Sequence, residues 1–450
     1  MTYNEYLQYI KDKNVGFLGI GRSNMPLIRI LAAHGVRLTA RDRKEKEQIG
    51  DFYKELEGLK VTVKCGSDYL KDLSEHDILY KTPAIRPDLP EILKAEETGT
   101  LLTSEMELFF ELCPCDIYAV TGSDGKTTTT TLIYEMLKKQ GYTCHLGGNI
   151  GRPLIGDIDK IKKDDAAVIE LSSFQLFNMK KSPKTAVITN ISENHLDWHR
   201  DFQEYIDAKK NIFKYQDNGS LLVLNEDNAY TRAMQSDAKG KPYMFSVLSE
   251  TDGVYLKDGA IYHSGEEIMK QRDIILPGIH NVANYMAAMC AVMGKVSYEN
   301  MRAVAITFGG VEHRIEFVRE FEGVSYYNDS IGSSPARTKA TLNSFPDKVI
   351  LIAGGYDKQL SYEELGRVIA ERVKYLVLVG ATSDKIEKAA RACSDIPIVR
   401  AVDFRSALLK AKEAAKKGDK VVLSPASASF DMFRDFEERG RTFKDIVNSL

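Results

Sequence analysis

The sequence lacks features that would assign it to several classes of protein. It has 61 basic and 64 acidic side chains and a net charge of −3, so no overall field favours nucleic acid or an anionic membrane, and we expect neither as a partner. No stretch approaches the ~18 uninterrupted apolar residues of a membrane span. The first residues have neither the basic nor the apolar region of a signal peptide. We therefore expect a cytoplasmic protein.

Cysteine is also scarce, with six residues in the chain. Only Cys113 and Cys115 lie close together in sequence, and their spacing suits neither a zinc ribbon nor a redox Cys-x-x-Cys motif. We therefore expect reduced thiols.

The length and the hydrophobic pattern predict a multidomain α/β protein. At 450 residues the chain exceeds a single typical core, and its composition of 43% hydrophobic and 28% charged residues is that of a globular protein. Short apolar runs alternate with amphipathic stretches throughout, which is typical of β-α units around parallel sheets. Because the strand pattern restarts twice, we predict a Rossmann-like domain over 1–104, a central P-loop-type ATPase domain over 105–310 and a Rossmann-like domain over 311–450.

The same pattern predicts particular elements. Apolar runs at 15–21, 117–120 and 348–355 each begin a strand series, and the first is followed by a helix at 26–34 and a strand at 36–40. Residues 254–262 predict a β-hairpin that turns at Asp258-Gly259.

The loop at residues 121–127, Thr-Gly-Ser-Asp-Gly-Lys-Thr, carries the sharpest chemical signal. A strand that ends in a glycine-rich turn opening a helix directs backbone N–H groups and the positive helix end at a phosphate. Lys126 supplies a point charge and Thr127 a hydroxyl for Mg²⁺. Val120 stands where the usual P-loop has its first glycine, so this is a shortened version. The alternative is a purely structural glycine turn.

Two later strands end in polar side chains that could join this loop. Glu170 closes an apolar strand, where a carboxylate can hold the Mg²⁺ of a bound nucleotide. Alternating His195, Asp197 and His199 follow the next strand and would share one face if the strand continued. They could suggest a transition-metal site, but the sequence favours a polar loop with one histidine among oxygen ligands.

The N-terminal strand is followed by Gly19-x-Gly21-x-x-Asn24, with Asp42 about 20 residues further on. This resembles a dinucleotide fingerprint without its third glycine. The departure argues against ordinary NAD binding but permits a diphosphate to approach the helix start.

Taken together, these motifs resemble the Mur ligase family of peptidoglycan synthesis, over essentially the whole chain. The matching segments lie at 121–127, 148–151, 170–176, 194–197, 280–284 and 312–314. Three C-terminal segments, at 328–330, 354–358 and 423–431, resemble the branch of the family that adds D-glutamate. The resemblance implies an ATP-dependent ligase with three domains, which bind a UDP-sugar, ATP with Mg²⁺, and the amino acid.

The resemblance also implies roles for individual residues. Those expected to contact the UDP-sugar are Arg22, Ser23, Asp42, Arg43, Asn149 and Ser172. Those expected to bind ATP are Gly122, Ser123, Asp124, Gly125, Lys126, Thr127, Thr128, Asn281, Arg314 and Asp329. The expected Mg²⁺ ligands are Thr127, Glu170, His195 and Lys209, the last carrying a carbamate made from CO₂. Without the family, Lys209 reads as part of a solvated helix face.

For D-glutamate, the residues implied are Ser333, Lys358, Ser429, Phe430 and Phe436. The chain departs from many family members after Ser330, where Ile331-Gly332 replaces Lys-Ala and removes an expected ATP contact. The family also implies a monomer.

The implied reaction begins with transfer of the ATP γ-phosphoryl group to the carboxylate of UDP-N-acetylmuramoyl-L-alanine, and the amine of D-glutamate then attacks the acyl phosphate. Lys126, His195, Lys209 and Arg314 are the expected catalytic residues. Two alternatives are a ligase that adds glutamate to folate, for which the N-terminal Gly19-x-Gly21 domain has no purpose, and a non-enzymatic nucleotide switch.

Overall fold

Three separate β-sheets organise the chain, one for each predicted strand series. The computed structural model describes residues 1–276 and 278–450. These fall into two compact units, Met1–Thr307 with the first two sheets and Phe308–Leu450 with the third. The predicted α/β class is confirmed, while domain boundaries near 104 and 310 stay predictions.

The first sheet has five parallel strands in the order β3-β2-β1-β4-β5. The strands are β1 Asn14–Leu18, β2 Arg37–Asp42, β3 Thr62–Cys65, β4 Ile78–Lys81 and β5 Leu101–Thr103. The helices are α1 Tyr3–Ile10, α2 Met25–Ala33, α3 Lys46–Ile49, α4 Asp51–Gly58, α5 Pro90–Glu97 and α6 Glu105–Leu112. The predicted strand–helix–strand opening is confirmed within a few residues at each end.

The second sheet has nine strands in the order β14-β13-β12-β11-β10-β9-β6-β8-β7. They are β6 Asp116–Thr121, β7 Cys144–Gly148, β8 Ala166–Glu170, β9 Thr185–Ile188, β10 Leu221–Asn225, β11 Tyr243–Ser246, β12 Val254–Lys257, β13 Ala260–His263 and β14 Glu266–Lys270. The helices are α7 Lys126–Gln140, α8 Ser173–Leu176, α9 Phe202–Lys214, α10 Ala229–Ala233, α11 Ile279–Val292 and α12 Tyr298–Ala305.

The predicted hairpin is confirmed at the edge of this sheet. β12 pairs antiparallel with β13, from Val254 opposite His263 to Lys257 opposite Ala260. Asp258 and Gly259 form the turn with φ angles of 48° and 72°, as expected of a two-residue Asp-Gly hairpin loop.

The third sheet orders its strands β15-β16-β20-β17-β18-β19, parallel except for the β15–β16 pair. The strands are β15 Glu316–Phe321, β16 Val324–Asn328, β17 Val349–Ala353, β18 Val373–Leu378, β19 Ile398–Arg400 and β20 Lys420–Leu423. The helices are α13 Pro335–Asn343, α14 Glu363–Arg372, α15 Ser383–Arg391, α16 Phe404–Ala414 and α17 Phe436–Asn448.

Burial follows the parallel topology. The central strands β6, β8, β9 and β17 are buried along nearly their whole length, as expected where helices cover both faces of a sheet. Within residues 1–276 and 278–450, none of the helices is long and apolar enough to span a membrane. All six cysteines are free thiols.

Candidate functional site

The predicted phosphate loop leads from β6 into α7, and two of its glycines have no room for a side chain. Gly122 has a φ of 146°, and a Cβ there would lie 1.9 Å from Thr189 Oγ1. Gly125 begins α7 with a φ of 77°, and its Cβ would lie 2.2 Å from Asn284 Oδ1. The loop therefore requires glycine at both positions, which is the behaviour of a tight turn at a helix start.

Hydrogen bonds fix the shape of this loop. The backbone N–H groups of Ser123 and Asp124 donate to the carbonyl and side-chain oxygens of Asn190, each at 2.9 Å. These two amides are thus engaged within the protein, unlike the phosphate-directed amides that the sequence predicts. Lys126 Nζ donates to the carbonyls of Gly122 and Ser123 at 3.0 and 2.9 Å. Its ammonium group therefore lies against the loop, and Thr128 follows in the first turn of α7.

Glu170 connects the phosphate loop to the neighbouring segment of the chain. It ends β8, next to β6, and is 1% exposed. Its Oε2 accepts the hydroxyl of Thr127, and its Oε1 accepts the amide of Asn149, both at 2.7 Å. One buried carboxylate thus joins a residue predicted to hold the nucleotide's metal with a residue predicted to lie near the sugar.

Lys209 lies inside the protein, so its interpretation as part of a solvated helix face is wrong. Its side chain extends from α9, is 1% exposed, and donates from Nζ to Gly122 O at 2.8 Å and Thr121 Oγ1 at 3.2 Å. Burial, and next the nearby Lys126 cation, hold the pKa of Lys209 well below its usual range. The amine therefore lies directly behind the phosphate loop in a site that favours its neutral form.

His195 and His199 lie in a turn after β9, so the strand alternation that would align them is absent here. His195 has a φ of 55° and its ring lies 4.9 Å from that of Phe174. Burial lowers the pKa of His195, Asp197 opposes this shift, and Lys126 and Lys209 each add a smaller lowering effect. His199 is buried and its Nε2 lies 2.9 Å from Ser173 Oγ, a structural contact.

The donor chemistry around the loop suits a hard cation. In the part of the chain that the structure describes, no three His, Cys, Asp or Glu side chains group as a metal site. The buried oxygens that do converge belong to the Thr127 hydroxyl and the Glu170 carboxylate. Oxygen donors of this kind are those that Mg²⁺ prefers, so the residues present fit that ion better than a transition metal.

A groove of about 440 Å³ runs between the first and second sheets of the Met1–Thr307 unit. Four of the six residues predicted to bind the UDP-sugar line it, namely Arg22, Ser23, Asn149 and Ser172. Arg22 also donates to the carbonyl of Gly151. The structure therefore gathers residues that are about 150 positions apart in sequence around one opening.

The other two predicted residues, Asp42 and Arg43, lie at the end of β2. The Asp42 carboxylate accepts the N–H groups of Ile20 at 2.7 Å and Lys44 at 2.9 Å, and Arg43 is exposed. Asp42 thus fixes the loop after β1 with one oxygen and the end of its own strand with the other, and its role toward a ligand stays a prediction.

Asn24 explains the missing third glycine of the N-terminal fingerprint. Its side-chain amide donates to the carbonyls of Gly19 at 2.9 Å and Leu18 at 3.3 Å, and its side chain is fully buried. Asn24 thus holds the end of β1 by side-chain hydrogen bonds. In the usual fingerprint the glycine at this position instead allows close backbone packing. Composition alone did not indicate this function.

Arg86, which sequence reasoning missed, joins the two sheets of this unit. Its guanidinium donates to both oxygens of Asp88 at 2.8 Å and to both oxygens of Glu204 at 2.9 and 3.0 Å. It also donates to the carbonyl of Trp198 at 2.7 Å. Glu204 stands on α9, the helix of Lys209, so Arg86 ties that helix to the loop after β4.

Asn281 lies in the first turn of α11, and its Oδ1 accepts the side chain of Asn284 at 3.3 Å. Asn284 in turn lies against Gly125 and 3.4 Å from Thr129 Oγ1. The structure therefore brings Asn281 to the phosphate loop through one intervening side chain.

In the Phe308–Leu450 unit, Asp329 follows β16 with its carboxylate turned inward. It accepts the hydroxyls of Thr341 and Ser424 at 2.7 Å each and the N–H of Ile315 at 3.3 Å. Burial, opposed by these hydrogen bonds, raises its pKa to about 6. Arg314 occupies a turn closed by its N–H and the carbonyl of Val311 at 2.9 Å. Their roles toward a nucleotide stay predictions.

Two of the residues predicted for D-glutamate lie together in this unit. Lys358 Nζ is 5.9 Å from the centre of the Phe430 ring, which is 61% exposed and packs edge-on against Tyr356. This leaves a cation and an aromatic ring at the surface beside the third sheet.

The other three are organised by Arg439, a second residue that sequence reasoning missed. Arg439 is 1% exposed and donates to the carbonyls of Ser330 at 2.8 Å and Ala428 at 3.1 Å, and to Ser333 Oγ at 3.4 Å. Ser429 is buried next to Ala428, and the Phe436 carbonyl accepts the Ser330 hydroxyl at 2.8 Å. No signal in the sequence marks Arg439, because its burial and its contacts with distant loops appear only in the folded chain.

A glycine-rich phosphate loop at the carboxyl edge of a parallel sheet defines a nucleotide-binding α/β protein. The profile of the Mur ligase middle domain matches residues 120–292, and that of the Mur ligase glutamate ligase domain matches residues 313–427. With the full-length relatives described next, these matches are decisive: the chain belongs to the Mur ligase family.

Three curated relatives of similar length carry the name UDP-N-acetylmuramoylalanine–D-glutamate ligase. The chain is 54% identical to the one from Acetivibrio thermocellus over 99% of this chain and 98% of that protein. It is 51% identical to the one from Clostridium kluyveri over 100% and 99%, and 48% identical to the one from Ruminiclostridium cellulolyticum over 99% and 98%.

Solved structures support the fold. The UDP-N-acetylmuramate-alanine ligase of Thermotoga maritima aligns with a TM-score of 0.55 at 18% identity, covering 97% of this chain and 99% of that one. A pseudomurein peptide ligase type C from Methanothermus fervidus aligns with a TM-score of 0.50 at 18% identity, covering 97% and 100%.

Proposed function

We propose that the protein is a cytoplasmic ATP-dependent ligase that adds D-glutamate to UDP-N-acetylmuramoyl-L-alanine in peptidoglycan precursor synthesis. Relatives that are 54% and 51% identical in sequence over nearly their full length bear the name of that activity. The observation that carries the proposal is the Glu170 carboxylate, which contacts both Thr127 of the phosphate loop and Asn149 of the groove. A nucleotide phosphate and a second substrate held on these two sides would meet beside one carboxylate.

In this proposal the loop at 122–128 and Lys126 bind the ATP phosphates, and Asn281 contributes to the same nucleotide site. Arg314 and Asp329 are also proposed as ATP-binding residues. Thr127, Glu170 and His195 would hold Mg²⁺, which when bound neutralises charge on the phosphates. Positioning and charge neutralisation dominate phosphoryl transfer, which supports a site built from cations and oxygen donors without a protein nucleophile.

Lys209 would complete the metal site as a carbamate. A neutral amine adds to CO₂ and releases one proton, so a buried lysine with a strongly lowered pKa is in the reactive state. The carbamate turns a cation into an anionic oxygen donor behind the phosphate loop. The lysine's contact with Gly122 O, at 2.8 Å, supports this placement.

The proposed reaction has two steps. A substrate carboxylate oxygen attacks the γ-phosphorus of ATP, releasing ADP and leaving an acyl phosphate. The D-glutamate amine then attacks the acyl carbon, inorganic phosphate leaves, and the amine loses a proton as the amide forms. Lys358 would bind the side-chain carboxylate of D-glutamate, and Ser333, Ser429, Phe430 and Phe436 would surround it.

A phosphate-release assay with UDP-N-acetylmuramoyl-L-alanine, ATP, Mg²⁺ and a panel of D- and L-amino acids tests this assignment. We expect stimulation by D-glutamate that requires the UDP-sugar. Turnover with a folate substrate would favour a folate–glutamate ligase instead. Nucleotide hydrolysis that no amino acid stimulates would favour a nucleotide switch.

A further inference from the structure

Lys81 is a buried lysine that no part of the proposed function uses. It ends β4 and is 2% exposed. Among residues 1–276 and 278–450 its ammonium group has no hydrogen-bond acceptor and no ion-pair partner in the structure. Buried lysines are normally paired, because an isolated ammonium in a protein interior is costly. A buried cation that no carboxylate pairs directly is stabilised by an anion from outside the protein.

The side chain faces a small cavity of about 20 Å³, shared with Ser23, Asn24, Ser104 and Glu105. This is room for about one water molecule. The walls of this cavity and of the 440 Å³ groove have Ser23, Pro83, Phe174 and Gln175 in common. Lys81 therefore lies immediately beneath the end of the groove at which the loop after β1 meets the start of α2.

The wall of this cavity gives Lys81 no ionised carboxylate at neutral pH. Glu105 at the start of α6 is fully buried in this cavity, and burial raises its pKa to about 8, so it is protonated at neutral pH. Glu107, also on α6, favours the charged lysine, but burial outweighs it and lowers the pKa of Lys81 to about 8. The remaining wall side chains, including Ser23 and Asn24, are neutral.

We infer that Lys81 binds the diphosphate of a nucleotide held in the groove, with Ser23 on the other side of the phosphate. The inference rests on the proposed function for the groove but adds a residue that the phosphate-binding pattern of the N-terminal fingerprint does not include. The ligand class is a nucleoside diphosphate, because its phosphates supply the anion and its nucleoside is of a size to occupy the groove of about 440 Å³.

Binding of UDP and of uridine to the full-length protein, measured by calorimetry, tests this inference. Lys81→Met should weaken UDP binding about tenfold to a hundredfold, the range expected when a charge-assisted hydrogen bond is removed, and leave uridine binding unchanged. The matched control is Lys94→Met, which removes an exposed lysine from α5, the helix between β4 and β5. This variant should bind UDP normally.

The pH dependence adds a second readout. Wild-type affinity for UDP should fall between pH 7 and 9 as Lys81 loses its proton, whereas Lys81→Arg keeps its charge and should lose that dependence. Equal UDP affinity in Lys81→Met and wild type would overturn the inference, as would an equal loss of UDP and uridine binding. If wild type bound no UDP, the assignment of the groove itself, and with it the proposed function, would fail.

Discussion

At the scale of single residues, burial changes the chemistry of Lys209 most. The same side chain that reads as a surface lysine in sequence is enclosed behind the phosphate loop, 2.8 Å from Gly122 O. Its neighbour Lys210 instead pairs with Asp237 near the surface, with the two groups 2.7 Å apart. Two adjacent lysines on one helix thus have opposite environments, and they make a matched pair for experiment.

Lys209→Ala should lose most ligase activity, because the variant removes the group proposed to carry the carbamate. Added short carboxylic acids should restore part of the activity by supplying an oxygen donor in the space left by the side chain. Phosphate release stimulated by D-glutamate measures both effects. Lys210→Ala should retain activity, and near-normal turnover of Lys209→Ala would remove Lys209 from the site.

Asp329 makes a prediction about stability. Burial raises its pKa to about 6 from an ordinary value near 4. The Asp329 carboxyl group therefore binds its proton more tightly in the folded unit than in the unfolded chain. Its free energy of unfolding should be highest below about pH 4, fall as pH rises to about 6, and then level off.

Asp329→Asn cannot titrate and lacks this contribution. Urea unfolding of both proteins between pH 4 and 7 should show the wild type losing on the order of 3 kcal/mol relative to the variant. Parallel pH profiles for the two proteins would contradict the buried, raised-pKa state of Asp329.

At the scale of elements, the start of α9 is fixed from outside its own sheet. Arg86, in the loop after β4, holds Glu204 with two hydrogen bonds and the Trp198 carbonyl with a third. The guanidinium also stacks near the rings of Phe177 and Trp198, at 5.1 and 4.9 Å. The orientation of the helix that carries Lys209 therefore depends on a residue more than 100 positions earlier.

Arg86→Lys and Glu204→Gln should each lower thermal stability and ligase activity, because lysine cannot make the paired hydrogen bonds of a guanidinium. The double variant should be less damaging than the sum of the two, with a coupling of about 1–3 kcal/mol by unfolding measurements. The control pair is Arg29 and Glu55, a similar contact on an exposed surface, whose coupling should stay below about 1 kcal/mol. Additive effects for Arg86 and Glu204 would show that they do not act together.

At the scale of the whole molecule, the hydrophobic cores divide as the compact units do. One core draws on both the first and second sheets, from Tyr6 to Met244. Two further cores, with buried members between Val324 and Val447, belong to the Phe308–Leu450 unit. Separate cores are the structural basis of separately cooperative domains.

Calorimetry should therefore resolve two thermal transitions. Asp329→Asn should move only the transition of the Phe308–Leu450 unit, and Arg86→Lys only that of the Met1–Thr307 unit. A single transition that both substitutions shift would show that the chain unfolds as one cooperative body.

Local pattern was sufficient for much of the fold. The strands at β1, β6, β8 and β17, the helix after the phosphate loop and the Asp-Gly hairpin follow from apolar periodicity and turn chemistry over a few residues. His195, Asp197 and His199 lie in the polar loop that the sequence favours, because β9 ends at Ile188 and the chain then turns. The polar residues of this stretch favour the loop, but they do not fix where β9 ends.

The phosphate loop and the three strand series follow from the sequence, because glycine geometry and hydrophobic period act over short stretches of chain. The family was implied by the resemblance of its motifs. Only the tertiary structure decided that Glu170 joins Thr127 to Asn149, that Arg439 gathers the C-terminal loops, and that Lys81 and Lys209 are buried. These features depend on contacts between distant positions and on the removal of water. Burial shifts the pKa of a lysine, and the residues next to a lysine in sequence do not show whether it is buried.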